Sequence, residues 1–413
     1  MKIPGRAGTD ASGTFGEGLD GKGAAVAEDE ADVIVLGLGG IGSAAAYWLA
    51  RSGARVIGLE RFALGHDRGA SQDHSRIIRL SYHDPAYVRL AQAAYASWDE
   101  VSAEAGAELV VRTGGIDIFP AADSFDREAY CNAMDTCGVV YDRLDGAEAM
   151  RRFPELRVDE ATEVLFQEQT GIAAAARANA AHQRLARAHG ADLREHARVE
   201  AIADDGGEVR VQVDGASIRA ARLLVCAGPW TNDVLGLLGH RLNLVVTREQ
   251  VIYLEPQDPA AFAPGRFPVW IWMQDPCYYG FPIFGEPAVK VAQDGGGEET
   301  TADGRSFAPD DGNRSRVVEF MRRTFPRAVG REHLVKTCLY TLPPDRDFVL
   351  DRLPGHDRVL LAVGAGHAFK FATQIGRILT ELALAGTTAH DIRLFRADRD
   401  VLSDRDAPRT WND

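Results

Sequence analysis

The sequence predicts an α/β fold in which a dinucleotide-binding domain is interleaved with an α+β domain built on a mostly antiparallel sheet. Three observations carry that expectation. Near the start, Val33-Ile-Val-Leu-Gly37-Leu-Gly39-Gly40-Ile41-Gly42 reads as an apolar strand, a tight turn and a helix start. Near the end, Val363-Gly364-Ala-Gly366-His367-Ala-Phe369-Lys370-Phe371 opens a second helix that runs to about Leu384. Between them, Leu242 to Val291 is strand-rich with aromatic clusters, so pieces of a nucleotide-binding sheet are separated by insertions of another kind.

The elements follow in order. Asp32 to Leu36 is a buried strand, and the helix after it runs from about Gly40 to Ser52, where Gly53 stops it. Ala54 to Glu60 is a second strand ending in an acid, at the spacing where a carboxylate accepts hydrogen bonds from a ribose 2′-hydroxyl. This strand–helix–strand unit holds a diphosphate on a helix N-terminus and leaves FAD and NAD both open. Gly65 to Arg79 is a polar, glycine-containing loop. Asp84 and Pro85 are the N-cap and first position of an amphipathic helix to about Ala105, with Tyr87, Leu90, Ala94, Trp98 and Val101 on its core face. Strands are expected at Leu109–Val111 and Gly115–Phe119, and a further helix follows. Another helix covers Ala173–His189, with strands at Val199–Ile202, Val209–Val213 and Leu223–Cys226. The last strand leads into Ala227-Gly228-Pro229-Trp230. A charged helix near Asn313–Phe325 precedes strands from Lys336 to Leu361.

Composition sets outer limits. The chain has 413 residues, enough for two domains, with 46% hydrophobic and 26% charged residues, ordinary for a globular protein. A net charge of −14 disfavours nucleic acid and anionic membrane as partners. The five cysteines (Cys131, Cys137, Cys226, Cys277, Cys338) show no metal-ligand spacing, so no metal is expected and a reducing compartment is. Residues 1–30 lack an apolar run of signal-peptide type, and no stretch reaches the roughly 20 apolar residues of a membrane span. The expected location is the cytoplasm and the expected state a monomer. The cationic side chains are mostly Arg; the lysines are Lys2, Lys22, Lys290, Lys336 and Lys370.

Several motifs, in order and spacing, resemble the sarcosine oxidase and N-methyltryptophan oxidase family of FAD-dependent amine oxidases. They are the two glycine segments, Ser75-Arg76-Ile-Ile-Arg79, Tyr278-Tyr279-Gly-Phe-Pro282 with Lys290 eight residues on, and Cys338-Leu-Tyr340-Thr-Leu-Pro-Pro-Asp345. The resemblance covers Ala31 to about Arg396. It implies a Rossmann-like FAD-binding domain made of 31–84, 150–235 and 332–397, and a substrate domain made of 85–149 and 236–331. Residues 1–30 are then a disordered extension and 398–413 a C-terminal tail.

The resemblance also implies roles. FAD is contacted by Gly37, Gly39, Gly40, Ile41, Gly42, Glu60 and Arg61, by Ser75 and Arg76, and by Val199, Ala227, Gly228 and Trp230. Further contacts come from Tyr340, Gly364, Gly366, His367 and Lys370, and Cys338 carries a covalent link to the flavin. Arg79 and Lys370 clamp a substrate carboxylate, Tyr279 lines the substrate site, and His367 faces the flavin. Lys290 sits where O2 reacts.

Physical reasoning supports these roles: a fork-shaped Arg and a point-charge Lys fix an amino acid so that hydride leaves the carbon next to nitrogen in one direction. A cation beside reacting oxygen stabilises the negative charge that develops there. Lys336 is expected to lower the Cys338 thiol pKa, as nucleophilic attack requires. Two departures, Ser71-Gln72 in place of a His-His pair and Asp294 in place of a histidine, make sarcosine itself doubtful as substrate. A cyclic amine or imine intermediate of a biosynthetic pathway is the alternative. An NAD(P)H-dependent flavin hydroxylase and an NAD-binding regulatory module are the rival functions. Trp270, Trp272, Tyr278, Tyr279 and Phe281 form an aromatic set of which at least half is expected to be core.

Overall fold

A computed structural model describes residues 29–122 and 125–410 of the chain. It opens with the strand–helix–strand unit: β1 (Asp29–Leu36), α1 (Gly40–Arg51) and β2 (Val56–Leu59). β1 lies in the centre of an eight-stranded sheet, parallel to β2 on one side and to Ala216–Val225 on the other. Asp192–Arg194 extends the parallel part beyond β2, and His356–Val363 adds to it next to Ala216–Val225. Antiparallel strands Val199–Asp204, Val209–Val213 and Val349–Leu353 finish the edges.

Both faces of this sheet are covered, as a parallel sheet requires. Ile34, Leu36, Leu223 and Val225 point into one core, and Val33, Val35 and Leu224 into another under the helices. α1 is rich in alanine and almost entirely buried, and the C-terminal helix Ala372–Leu384 packs across it. That helix is entered through a short 3-10 turn, Ala368–Phe371.

The second sheet has nine strands. All pair antiparallel except Val269–Trp272, which runs parallel to Gly115–Phe119, so the mostly antiparallel expectation holds. Its long central strand Val245–Leu254 pairs with Glu332–Leu342 on one side and with Val289–Gln293 on the other. Phe262, Phe267, Trp270, Phe320 and Phe325 build the core between this sheet and the helix Asp311–Thr324. A small third sheet joins Arg76–Ile78, Gly171–Ala173 and Val110–Arg112.

The expected boundaries depart from these sheets in three places. Glu332–Leu342 and Glu163–Gln167, assigned to the FAD-binding segments, both pair within the nine-stranded sheet. The helix Pro85–Ala105, assigned to the substrate segments, packs on Ala372–Leu384, where Ser97 Oγ donates to Gln374 Oε1 at 2.7 Å. The order of segments along a chain does not say which sheet a strand joins, and that information lies in long-range pairing. Asp29 and Glu30, expected in a loose extension, are the first residues of β1; the rest of that extension and the last three residues lie outside the described residues. Residues 398–410 are anchored: Leu402 is buried and its carbonyl accepts the Asn243 N–H at 2.7 Å. Arg76–Ile78, expected within a loop, forms a strand that holds its arginine against the site. Ala173 likewise ends a strand, and the helix expected from it runs over Ala175–Ala188.

Candidate active site

A cavity of about 1580 Å³ runs along the first sheet and under the second. Single-ligand pockets span roughly 300–1,000 Å³, so this one has room for a dinucleotide and a small molecule together. Of the residues expected to bind cofactor, all but Gly42 and Ser75 line it.

The turn after β1 forms one cluster of the lining. Gly37 has φ +85, and a Cβ there would meet Cys226 O at 2.5 Å. A Cβ on Gly42 would fall 1.8 Å from Gly37 O, so Gly42 acts by letting the helix close on the turn, which is why it does not face the cavity. The first turn of α1 lines the space at Gly39, Gly40 and Ile41, where a helix N-terminus favours an anion. Gly40 N already donates to Ser71 Oγ at 2.8 Å. Glu60 ends β2 with Oε2 accepting from Leu38 N at 2.9 Å and Oε1 from Phe62 N at 3.0 Å. Burial opposes its charge, but His66 and these backbone donors hold it below the usual carboxylate range. Arg61 ion-pairs with Asp303 at 3.0 Å, and Trp230 Nε1 donates to the same carboxylate at 2.8 Å. Val199, Ala227 and Gly228 complete this cluster.

A second cluster surrounds Lys290. Its ammonium is buried, ion-pairs with Asp73 at 2.5 Å and donates to Ser75 O at 2.9 Å. Ser75 therefore works through its carbonyl, from behind the cavity wall. Arg76 donates to the carbonyls of Ala70, Gln72 and Ser75, and so braces the loop that carries Asp73. Cys338 is a free cysteine on the cavity wall. Burial pushes its thiol up to about 11 against the pull of Arg76, Lys290 and Arg305. Lys336, expected to activate it, points instead at Asp73 (3.4 Å) and Glu286 (4.0 Å). Glu249 lies opposite Cys338 across the strand pair, and burial raises its carboxyl to about 7.

The third cluster holds the expected carboxylate clamp. Arg79 Nη1 donates to the buried Asp117 at 3.1 Å, so half of the expected pair already has a counter-charge. Lys370 is different: its ammonium makes no hydrogen bond, and no carboxylate lies within 4.0 Å of it among the described residues. Both cations lie over the Tyr82 ring, at 4.9 Å for Arg79 and 5.5 Å for Lys370. Burial, then the charge of Arg79, lowers the Lys370 amine to about 7. His367 is neutral, its pKa held well below the usual range by burial and by Lys370; it lies against Phe348 and its Nε2–H donates to Arg346 O at 3.2 Å. Tyr340 lies against Gly366 and donates to Asp294, which also takes Arg346 Nη2 at 2.8 Å. Gly364 lines the cavity beside Ile41.

The aromatic set divides as strand alternation dictates. Tyr279 and Phe281 face the cavity, whereas Tyr278 stacks on Phe320 at 4.2 Å and Trp270 and Trp272 pack with it into the core. Asp73, Asp117, Arg346 and Asp303 escaped the sequence reading. Asp117 left a signal there, an acid inside the apolar run Gly115-Ile-Asp-Ile-Phe119; the other three sit in polar loops, where an ionic residue is unremarked.

Residues 32–382 match the family model described as FAD dependent oxidoreductase. The chain belongs to this family. Monomeric sarcosine oxidase of Streptomyces avermitilis is 35% identical over 88% of this chain and 96% of its own length. N-methyl-L-tryptophan oxidase of Salmonella arizonae is 30% identical over 89% of this chain and 98% of its own. Among solved structures, the open form of NikD, an unusual amino acid oxidase essential for nikkomycin biosynthesis, superposes with a TM-score of 0.79. It is 27% identical and covers 89% of this chain and 97% of that one. The protein is thus an FAD-dependent oxidoreductase of the sarcosine oxidase and N-methyltryptophan oxidase group, acting on CH–NH donors. Its cavity fits FAD: the glycine turn, the α1 N-terminus and Glu60 supply the donors and acceptor a dinucleotide needs, and the volume leaves room beside it.

Proposed function

We propose that this protein oxidises a secondary or N-methylated amino acid to the imine, with O2 as the terminal acceptor and hydrogen peroxide as product. The carrying observation is Lys370, a partly buried amine with no carboxylate within 4.0 Å among the described residues, over the same tyrosine ring as Arg79. Desolvation and the neighbouring Arg79 disfavour its charged form, and a bound anion would restore it, so a carboxylate from outside suits this position. Bound in the cavity, FAD would supply the two-electron acceptor, and Cys338 on the cavity wall would hold it covalently. Lys370 grips the substrate carboxylate, with Arg79 as a second contact that Asp117 keeps in place. The cationic surroundings favour a neutral amine on the substrate, which is the form able to give up hydride. His367 stays neutral and positions; it takes no proton. Tyr279 walls the space and excludes water. Lys290 stabilises negative charge on oxygen.

The similarity to NikD and the aromatic wall of Tyr279 and Phe281 support a second reading, a cyclic amine or imine of a biosynthetic pathway as the substrate. No helix among the described residues is long and apolar enough to cross a membrane. Incubating the purified protein with a panel of N-methyl and cyclic amino acids, and measuring peroxide, tests the reading. Turnover should be confined to amines that carry a carboxylate. Equal turnover of the matching amines without an acid group would refute it.

A further inference from the structure

Lys290 projects from Val289–Gln293, between Tyr253 on one neighbouring strand and Phe281 on the other. The charged and titratable groups that face it among the described residues come from three directions. Asp73 and Arg76 come from the loop and strand below, and Tyr253 donates to Asp73 at 2.6 Å. Lys336 and Cys338 come from Glu332–Leu342, and the Phe281 ring lies 4.9 Å from the Lys290 ammonium. Among the described residues, Asp73 is the only carboxylate within 4.0 Å of Lys290. Its side chain is buried, and it holds a backbone φ of +109 that an ordinary side chain rarely adopts. A strained, buried acid fixed by three partners is held in place by its surroundings and marks a functional device.

We propose that Asp73 is a positioning residue that keeps the Lys290 amine protonated and aimed along the cavity wall at working pH. A buried ammonium beside the Arg76 guanidinium is disfavoured twice, by desolvation and by like charge. Even with Asp73 at 2.5 Å, burial brings this lysine down to about 8. Removing the carboxylate takes away the main opposing charge, so the amine becomes neutral near pH 7 and no longer stabilises charge on oxygen. Asp73 thus sets the upper pH limit of the oxygen step without touching substrate. The oxygen part rests on the role proposed above for Lys290; the protonation part does not.

The chain has only five lysines, so lysine labelled with carbon-13 at Cε gives five signals to follow by NMR against pH. In the wild type the Lys290 signal should titrate near 8. In Asp73→Asn its proton affinity should fall at least tenfold, and in Asp73→Glu it should stay close to the wild type. Asp73→Gly is the second neutral variant, because glycine adopts the +109 backbone freely even if Asn folds poorly. An unchanged Lys290 midpoint in the neutral variants overturns the proposal. Reoxidation of the reduced protein by O2, followed in single turnovers, should lose rate at a correspondingly lower pH in those variants. If the NMR midpoint shifts while reoxidation does not follow, Asp73 keeps its role and the oxygen assignment of Lys290 is what falls.

Discussion

Lys370 faces the cavity with no carboxylate within 4.0 Å among the described residues, and burial beside Arg79 brings its amine down to about 7. A ligand carboxylate binds the protonated form. The affinity of a simple carboxylate inhibitor should therefore be flat below about pH 7 and fall tenfold per unit above it. Lys370→Arg, which stays charged, should abolish that dependence, and Lys370→Met should weaken binding at every pH. Inhibitor titrations that perturb the flavin spectrum measure this, and a wild-type affinity unchanged from pH 6 to 9 would contradict it. Cys338 makes a second residue-scale prediction. Acid denaturation should leave yellow colour on the wild-type polypeptide and strip it from Cys338→Ala; colour lost from both means the thiol only packs. The sequence showed both residues because each sits in a motif. It could not show that Arg79 is already engaged, since Asp117 reaches it from a strand 38 residues away. Nor could it show that Lys336 turns from Cys338 toward Asp73. Ion pairing between distant segments is decided by packing.

At the scale of elements, the β1–α1–β2 unit was legible in kind and order, with strand ends that differ by a few residues, because close backbone approach at its turn demands glycine and leaves a pattern. Gly42→Ala places a methyl 1.8 Å from Gly37 O, so α1 must shift away from the turn. The cost expected for overpacking is about 1–3 kcal/mol. Thermal melting should show it, together with weaker retention of FAD in a Cys338→Ala background. A melting point and FAD retention equal to those of the parent would mean the turn tolerates the methyl. The aromatic strand Tyr278–Phe281 was legible in part: period-two alternation sends Tyr279 to the cavity and Tyr278 to Phe320. Which face was which required the neighbouring strands. Arg76–Ile78 reads as loop in the sequence because three residues carry too short a pattern, and its strand character comes from pairing with Gly171–Ala173.

For the whole molecule, the sequence showed two interleaved sheets and misplaced several of their parts. Glu332–Leu342 carries Cys338 and Tyr340 on the second sheet, so the cavity is walled jointly by both sheets. That arrangement brings the glycine turn and Glu60 to one side of the space, and Lys290, Cys338 and Tyr279 to the other. It also gives the account its most direct test. The purified protein should be yellow, and anaerobic addition of a secondary amino acid should bleach the flavin absorbance. Admission of O2 should restore the colour with one peroxide formed per flavin. Bleaching by NAD(P)H, with every amine carrying a carboxylate left without effect, would contradict the account.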